Sequence, residues 1–172
     1  MAIINTLAKL NDFELIIEHN KGVIYKVANS FCKNQDDRKD LVQEIIIQLW
    51  TSFSRYDDHY KLSTWMYRIA LNVSISFYRK ERKRKDSDLP INESIVEIAE
   101  EHSSDELETN INLLQQFINE LKELDRALIL LYLEEKSQKE IAEILGLTEA
   151  NLSTKVGRIK EKLKQRFSLT NE

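Results

Sequence analysis

Three glycines and one proline are all that could interrupt a helix in 172 residues. A sheet of many short strands needs Gly, Pro and Asn-Gly turns at regular intervals, and this chain cannot supply them. The long uninterrupted stretches are rich in Leu, Ile, Glu and Lys, which are strong helix formers, so the expected fold class is all-α. The single proline, Pro90, lies in residues 86–110, a stretch with nine Asp and Glu and no Lys or Arg. Residues 1–85 carry 15 Lys and Arg against 10 Asp and Glu, and residues 111–172 carry 10 of each. A serine-containing acidic strip between two blocks of helical periodicity reads as a flexible linker. The prediction is two small helical domains, 8–85 and 111–168, joined by an acidic linker over 86–110. The formal net charge of −4 conceals this distribution. An acidic total therefore does not exclude a nucleic-acid partner, because the position of the positive charge decides.

Several function classes drop out. Apolar residues nowhere run for the ~20 positions of a membrane span, so no direct membrane insertion is expected. Met1-Ala2-Ile3-Ile4-Asn5 has neither the basic start nor the cleavage site of a secretion signal. Cys32 is the only cysteine, and His19, His59 and His102 are scattered. No disulfide, no metal and no cofactor is expected, and the setting is read as cytoplasmic, with Cys32 a buried thiol. No carboxylate–histidine arrangement or glycine-rich phosphate loop suggests an enzyme.

In the first block, Phe13, Ile16, Ile17, Val23, Ile24, Val27, Ala28 and Phe31 recur at helical spacing before the run Asp36–Asp40 breaks the rhythm. A second helix is expected from about Asp40, with Leu41, Ile45, Leu49 and Trp50 on one face. Ser54 to Leu62 reads as a loop, and Ser63 as the cap of a third helix with Trp65, Met66, Ile69, Ala70, Val73 and Phe77 as its stripe. That helix runs into Arg79-Lys80-Glu81-Arg82-Lys83-Arg84-Lys85, six cations in seven residues.

The clearest local signal spans 137–156. Ser137 followed by Glu140 is a capping box, Ala142 is small where two helices cross closely, and Gly146 stands where the chain must turn. Thr148 caps a second helix whose buried stripe is Leu152, Val156, Ile159 and Leu163. This is a helix-turn-helix. Such a second helix enters the major groove by its N-terminal part. Glu149, Ala150, Asn151, Ser153, Thr154 and Lys155 would face bases there, with Arg158 and Lys160 reaching phosphates. Repressors, response regulators and sigma factors all share this motif, so it indicates DNA without indicating the task.

The first block narrows the choice. Asp40-Leu41-Val42-Gln43-Glu44-Ile45-Ile46-Ile47-Gln48-Leu49-Trp50 resembles the "DLxQExxxxLW" stretch of region 2 of the bacterial sigma factors. Ser63-Thr64-Trp65-Met66-Tyr67-Arg68-Ile69-Ala70-Leu71-Asn72 resembles their "TWLxRIAxN" stretch, and the helix-turn-helix resembles their region 4. The short acidic strip resembles the linker that replaces a middle domain in the extracytoplasmic-function group. The resemblance covers about Phe13 to Phe167. It implies a non-catalytic subunit of RNA polymerase that binds the core enzyme and directs promoter recognition and melting.

By that resemblance, Asp40, Leu41, Gln43, Glu44, Leu49 and Trp50 would dock on the clamp coiled coil of the largest polymerase subunit, and region 4 would meet the flap. Phe53, Tyr56, Tyr60, Lys61, Trp65, Tyr67, Arg68, Asn72, Arg79 and Lys80 would read and open the −10 element. Single-stranded DNA is held by base stacking on aromatic faces and by cations along its backbone, which suits this mixture. The helix-turn-helix would read the −35 element. The acidic linker would thread the polymerase cleft, and an anti-sigma factor would mask the functional faces. Ser153 follows Leu152 where the family usually has a basic residue, and Thr154-Lys155 stands for the usual Ser-Arg pair, so the −35 sequence is not legible.

Overall fold

The computed structural model describes residues 2–56, 59–87 and 106–170, with side chains over 11–56, 59–84 and 110–168. Among the described residues there are seven helices and no strand: α1 (Ala2–Phe31), α2 (Gln35–Phe53), α3 (Leu62–Ser87), α4 (Glu106–Glu120), α5 (Glu123–Leu133), α6 (Gln138–Leu145) and α7 (Glu149–Thr170). Most of the expected linker, 88–105, lies outside the described residues, and its last residues already belong to α4.

Helix α2 starts five residues before the position expected from the apolar rhythm. Asn34 takes an extended conformation, and its side chain accepts the amide of Asp36 at 2.7 Å, so it is the N-cap. Asp36 and Asp37 occupy the first turn, where the helix dipole favours acids. The charged run thus begins the helix instead of breaking it.

Helices α1, α2 and α3 form one bundle. Ile24, Leu41, Ile45, Leu49, Met66 and Leu71 are essentially inaccessible in its centre. Each such side chain contributes about 1.5–3 kcal/mol by leaving water. Ala28 and Ala70, both fully buried, let the helices approach closely. In the C-terminal block, α5, α6 and α7 close around Leu128, Leu131, Ile141 and Leu152.

The two blocks also meet, with α3 packing against α5 and α6 and α1 touching α5. At the junction sits Arg126, a charged side chain only 3% exposed. Its guanidinium donates to the carbonyls of Ile118, Asn119 and Leu121 at the end of α4, and to that of Ser30 in the last turn of α1. It also lies over the rings of Tyr78 at 4.9 Å and Phe31 at 5.6 Å. Free carbonyls at a helix end carry partial negative charge, so one guanidinium satisfies the ends of two helices from different blocks.

Candidate nucleic-acid interface

Between the end of α2 and the start of α3 lies a cleft of about 430 Å³ lined by Ser52, Arg55, Tyr56, Tyr60, Thr64, Trp65, Arg68, Ile69 and Asn72. The α2–α3 connection supplies Arg55, Tyr56 and Tyr60, and successive turns of α3 supply Trp65, Arg68 and Asn72. The Tyr56 hydroxyl donates to the Tyr60 carbonyl at 3.1 Å, which draws the connection together. Tyr56 and Trp65 have ring centroids 5.0 Å apart and tilted by 47°. Three aromatic side chains, two guanidinium groups and an exposed Asn72 amide therefore share one concavity. A cleft of this size with stacking faces and cations can take a planar base and hold the adjoining phosphates.

The other expected −10 residues lie elsewhere. Phe53 is half-buried and packs on Phe13 at 5.5 Å. Tyr67 is 3% exposed, and its hydroxyl donates to Glu134 Oε2 at 3.3 Å. Burial first, then the Glu134 carboxylate, push the Tyr67 phenol up to about 12, so it stays neutral. A ring so enclosed cannot stack a base, and the expectation for Tyr67 is corrected: it is core at the junction of the blocks. Lys61 reaches Glu140, while Arg79 and Lys80 lie exposed further along α3.

On α2, Asp40, Gln43, Glu44 and Trp50 are on the surface, whereas Leu41 and Leu49 are fully buried. Those two leucines have no surface to offer a partner, because they point from α2 into the bundle; the expectation that they dock is corrected. Ile47, which sequence reasoning passed over, is 60% exposed on the outer side of α2 and shares a shallow groove with Glu44, Gln48 and Asn72. Its position three residues beyond Glu44, on the same helix face, was the available signal.

The helix-turn-helix forms as its residues dictate. Ser137 Oγ accepts the Glu140 amide while the Glu140 carboxylate accepts the Ser137 amide and hydroxyl. Those bonds from Ser137, with Lys61 adding to them, hold the Glu140 carboxyl down at about 2. Gly146 takes a left-handed φ of 66°, the geometry the turn into α7 requires. Thr148 Oγ1 accepts the Asn151 amide at the start of α7. Glu149, Ala150, Asn151, Ser153, Thr154, Arg158 and Lys160 are exposed. Lys155 is drawn back to Asp125 on α5 at 3.2 Å, and Lys160 donates to the Tyr132 hydroxyl at 2.9 Å. Ser153 Oγ donates to Gln138 on α6 at 3.4 Å, so Gln138 joins this face, a neighbour no local motif announces.

Comparison with known proteins decides the family. A sigma-70 region 2 model matches residues 16–84, and a sigma-70 region 4 model matches residues 111–163. The ECF RNA polymerase sigma factor SigW of Bacillus subtilis is 29% identical over 166 residues, covering 90% of this chain and 88% of SigW. RNA polymerase sigma factor SigV of the same organism is 32% identical over 157 residues, covering 91% of this chain and 90% of SigV. The chain belongs to the extracytoplasmic-function sigma factors. This sigma factor directs promoter-specific initiation by RNA polymerase. Its fold is shared with the sigma factor RpoE of Bartonella quintana, solved in complex with the anti-sigma factor NepR, at a TM-score of 0.67 and 23% identity over 91% of this chain and 97% of RpoE. No helix among the described residues is long and apolar enough to cross a membrane.

Proposed function

We propose that this sigma factor is a cytoplasmic, non-catalytic specificity subunit in which three surfaces divide the work. The α2–α3 cleft captures a base flipped from the −10 element. The exposed face of α2 docks on the polymerase clamp through Asp40, Gln43, Glu44, Ile47 and Trp50. The N-terminal part of α7 reads the −35 element, and the units responsible are 8–85 and 111–168.

The observation that carries the reading is the cleft, where Tyr56, Trp65, Arg55, Arg68 and Asn72 converge. Flipping a base costs a few kcal/mol. Stacking returns about 1–3 kcal/mol per base, so a single well-formed cleft offsets the cost without fuel. On α2, an exposed Ile47 and Trp50 rimmed by acids and amides have the composition of an interface core with a polar edge. RpoE was solved with an anti-sigma factor. A similar protein partner is proposed here, covering these surfaces until initiation is needed. The acidic strip 86–110 has the charge to follow a channel built for nucleic acid.

The test is run-off transcription with purified bacterial core polymerase on fragmented DNA of the source genome. Discrete starts should appear only when the protein is added and should vanish in the Asp40→Ala/Glu44→Ala variant. Absence of starts, together with tight duplex binding by the protein alone, would overturn the reading in favour of an ordinary helix-turn-helix regulator.

A further inference from the structure

Among the described residues three ion pairs cross between the two blocks, and all run in one direction. Lys26 on α1 meets Glu134 at 2.6 Å, Lys61 meets Glu140 at 3.2 Å, and Arg79 on α3 lies 3.9 Å from Glu123. The N-terminal block supplies every cation of the three and the C-terminal block every carboxylate. The acids are the more enclosed partners, at 16–25% exposure, against 54–76% for the bases. Their positions are fixed: Glu140 by its capping box, Glu134 by the Tyr67 hydroxyl, Glu123 in the first turn of α5. Enclosed carboxylates set against exposed cations offer the N-terminal block the charge that a nucleic-acid backbone would offer it.

We propose that Glu123, Glu134 and Glu140 act as a built-in phosphate surrogate: in the free sigma factor they occupy a backbone-binding face formed by Lys26, Lys61 and Arg79, and DNA must displace them. The inference rests on the reading that this face binds DNA, and it adds Lys26 as a phosphate contact. Exposed ion pairs are individually weak and screened by salt, so the cover is reversible. Apparent DNA affinity falls by the fraction of molecules that are uncovered.

The test uses the full chain and a labelled 20-nucleotide single-stranded DNA of mixed sequence, followed by fluorescence anisotropy. Glu123→Gln/Glu134→Gln/Glu140→Gln should bind about tenfold more tightly than wild type at about 50 mM salt, the gain shrinking at about 200 mM. Glutamine still serves in a capping box, so the helix-turn-helix is retained. Because any loss of negative charge favours DNA, Glu14→Gln/Glu143→Gln/Glu161→Gln is the control of equal net charge. All three of its sites are exposed and outside the contacts above. Adding Lys26→Gln to the first triple variant, where that lysine lacks its carboxylate, should weaken binding several-fold. If wild type binds DNA and the interface variant gains no more than the control, the surrogate is refuted while the DNA-binding reading stands. If Lys26→Gln has no effect, Lys26 is not a contact. If neither wild type nor variant binds at low salt, the DNA-binding reading of this face falls with it.

Discussion

Arg126 offers the sharpest energetic test of how the two blocks are held. Its guanidinium makes one short bond, to the Asn119 carbonyl, and three at 3.3–3.4 Å, to Ile118, Leu121 and Ser30. No carboxylate is among these partners. A short bond to a charged donor is worth about 1.5–3 kcal/mol, and bonds near 3.4 Å are worth a fraction of that. The rings of Phe31 and Tyr78 add about 0.5–2 kcal/mol each in a desolvated setting. Against these stands the desolvation of a guanidinium, several kcal/mol even after relaxation.

Arg126→Met separates the terms. Methionine fills the space against the two rings and removes the desolvation cost, but it takes the donor from the carbonyls of Ser30, Asn119 and Leu121, while that of Ile118 keeps the Leu121 amide at 3.2 Å. Fully orphaned, such a group costs about 1–3 kcal/mol. The carbonyls of Ser30, Asn119 and Leu121 are bonded in part-buried settings and recover some water. The expected loss is about 2 kcal/mol for Arg126→Met. It is about 4 kcal/mol for Arg126→Ala, which adds a cavity. At this chain length 1 kcal/mol moves the midpoint by about 2–4 °C, so the Met variant should melt about 4–8 °C lower. Only the Ser30 bond crosses between blocks, so amide exchange should accelerate first at the α4–α5 corner. Circular-dichroism melts and urea titration read the first quantity and hydrogen exchange the second. A Met variant as stable as wild type would show that desolvation cancels the capping and would refute the account.

Four further outcomes are expected. Glu135 holds a left-handed φ of 55° at the end of α5, where the Lys136 amide bonds the Leu131 carbonyl at 3.2 Å; Glu135→Gly should raise the urea midpoint by relieving about 1 kcal/mol, and Gly146→Ala should lower it by about 1–2 kcal/mol. The Glu140 carboxyl lies below its unfolded value of 4.5, at about 2, so its contribution is complete above pH 4.5 and is lost as the pH falls through about 2; the stability gap between wild type and Glu140→Gln should narrow over that window in acid titrations. Tyr56→Ala should weaken open-complex formation by about tenfold or more, as loss of one stacking face implies, with core-polymerase binding unchanged in pull-down. Ile47→Arg should do the reverse, reducing core binding while leaving the melting temperature within about 2 °C, because an exposed site contributes little to stability.

The fold class and the helix-turn-helix are legible in the chain because each depends on residues close together in sequence. The cleft is built entirely from 52–72, so its aromatic and basic members stand in one segment and need only a helix and a turn to converge. The start of α2 is not legible from the apolar rhythm, because a charged run looks like a break although its acids fill the first turn of a helix capped by Asn34. The motif puts Leu41 and Leu49 on the docking surface, yet their four- and eight-residue offsets from Ile45 and each other mark them as the inward stripe of α2.

Tyr67 shows what local reasoning cannot reach. A helix in a three-helix bundle buries one stripe, and on α3 that stripe would leave Tyr67 at its edge. In the folded chain Met66, Tyr67, Ala70, Leu71 and Ser74 are all buried, adjacent pairs that exceed one stripe. The cause is that α1 and α2 cover one side of α3 while α5 and α6 cover another. Glu134, which takes the Tyr67 hydroxyl, is 67 residues away, and the three crossing ion pairs join residues at least 44 apart. An acidic strip between two blocks separates them in sequence without separating them in space. The C-terminal carboxylates lie against cations where DNA is proposed to bind, so the residues that oppose DNA are as much part of the proposed promoter-reading surface as those that hold it.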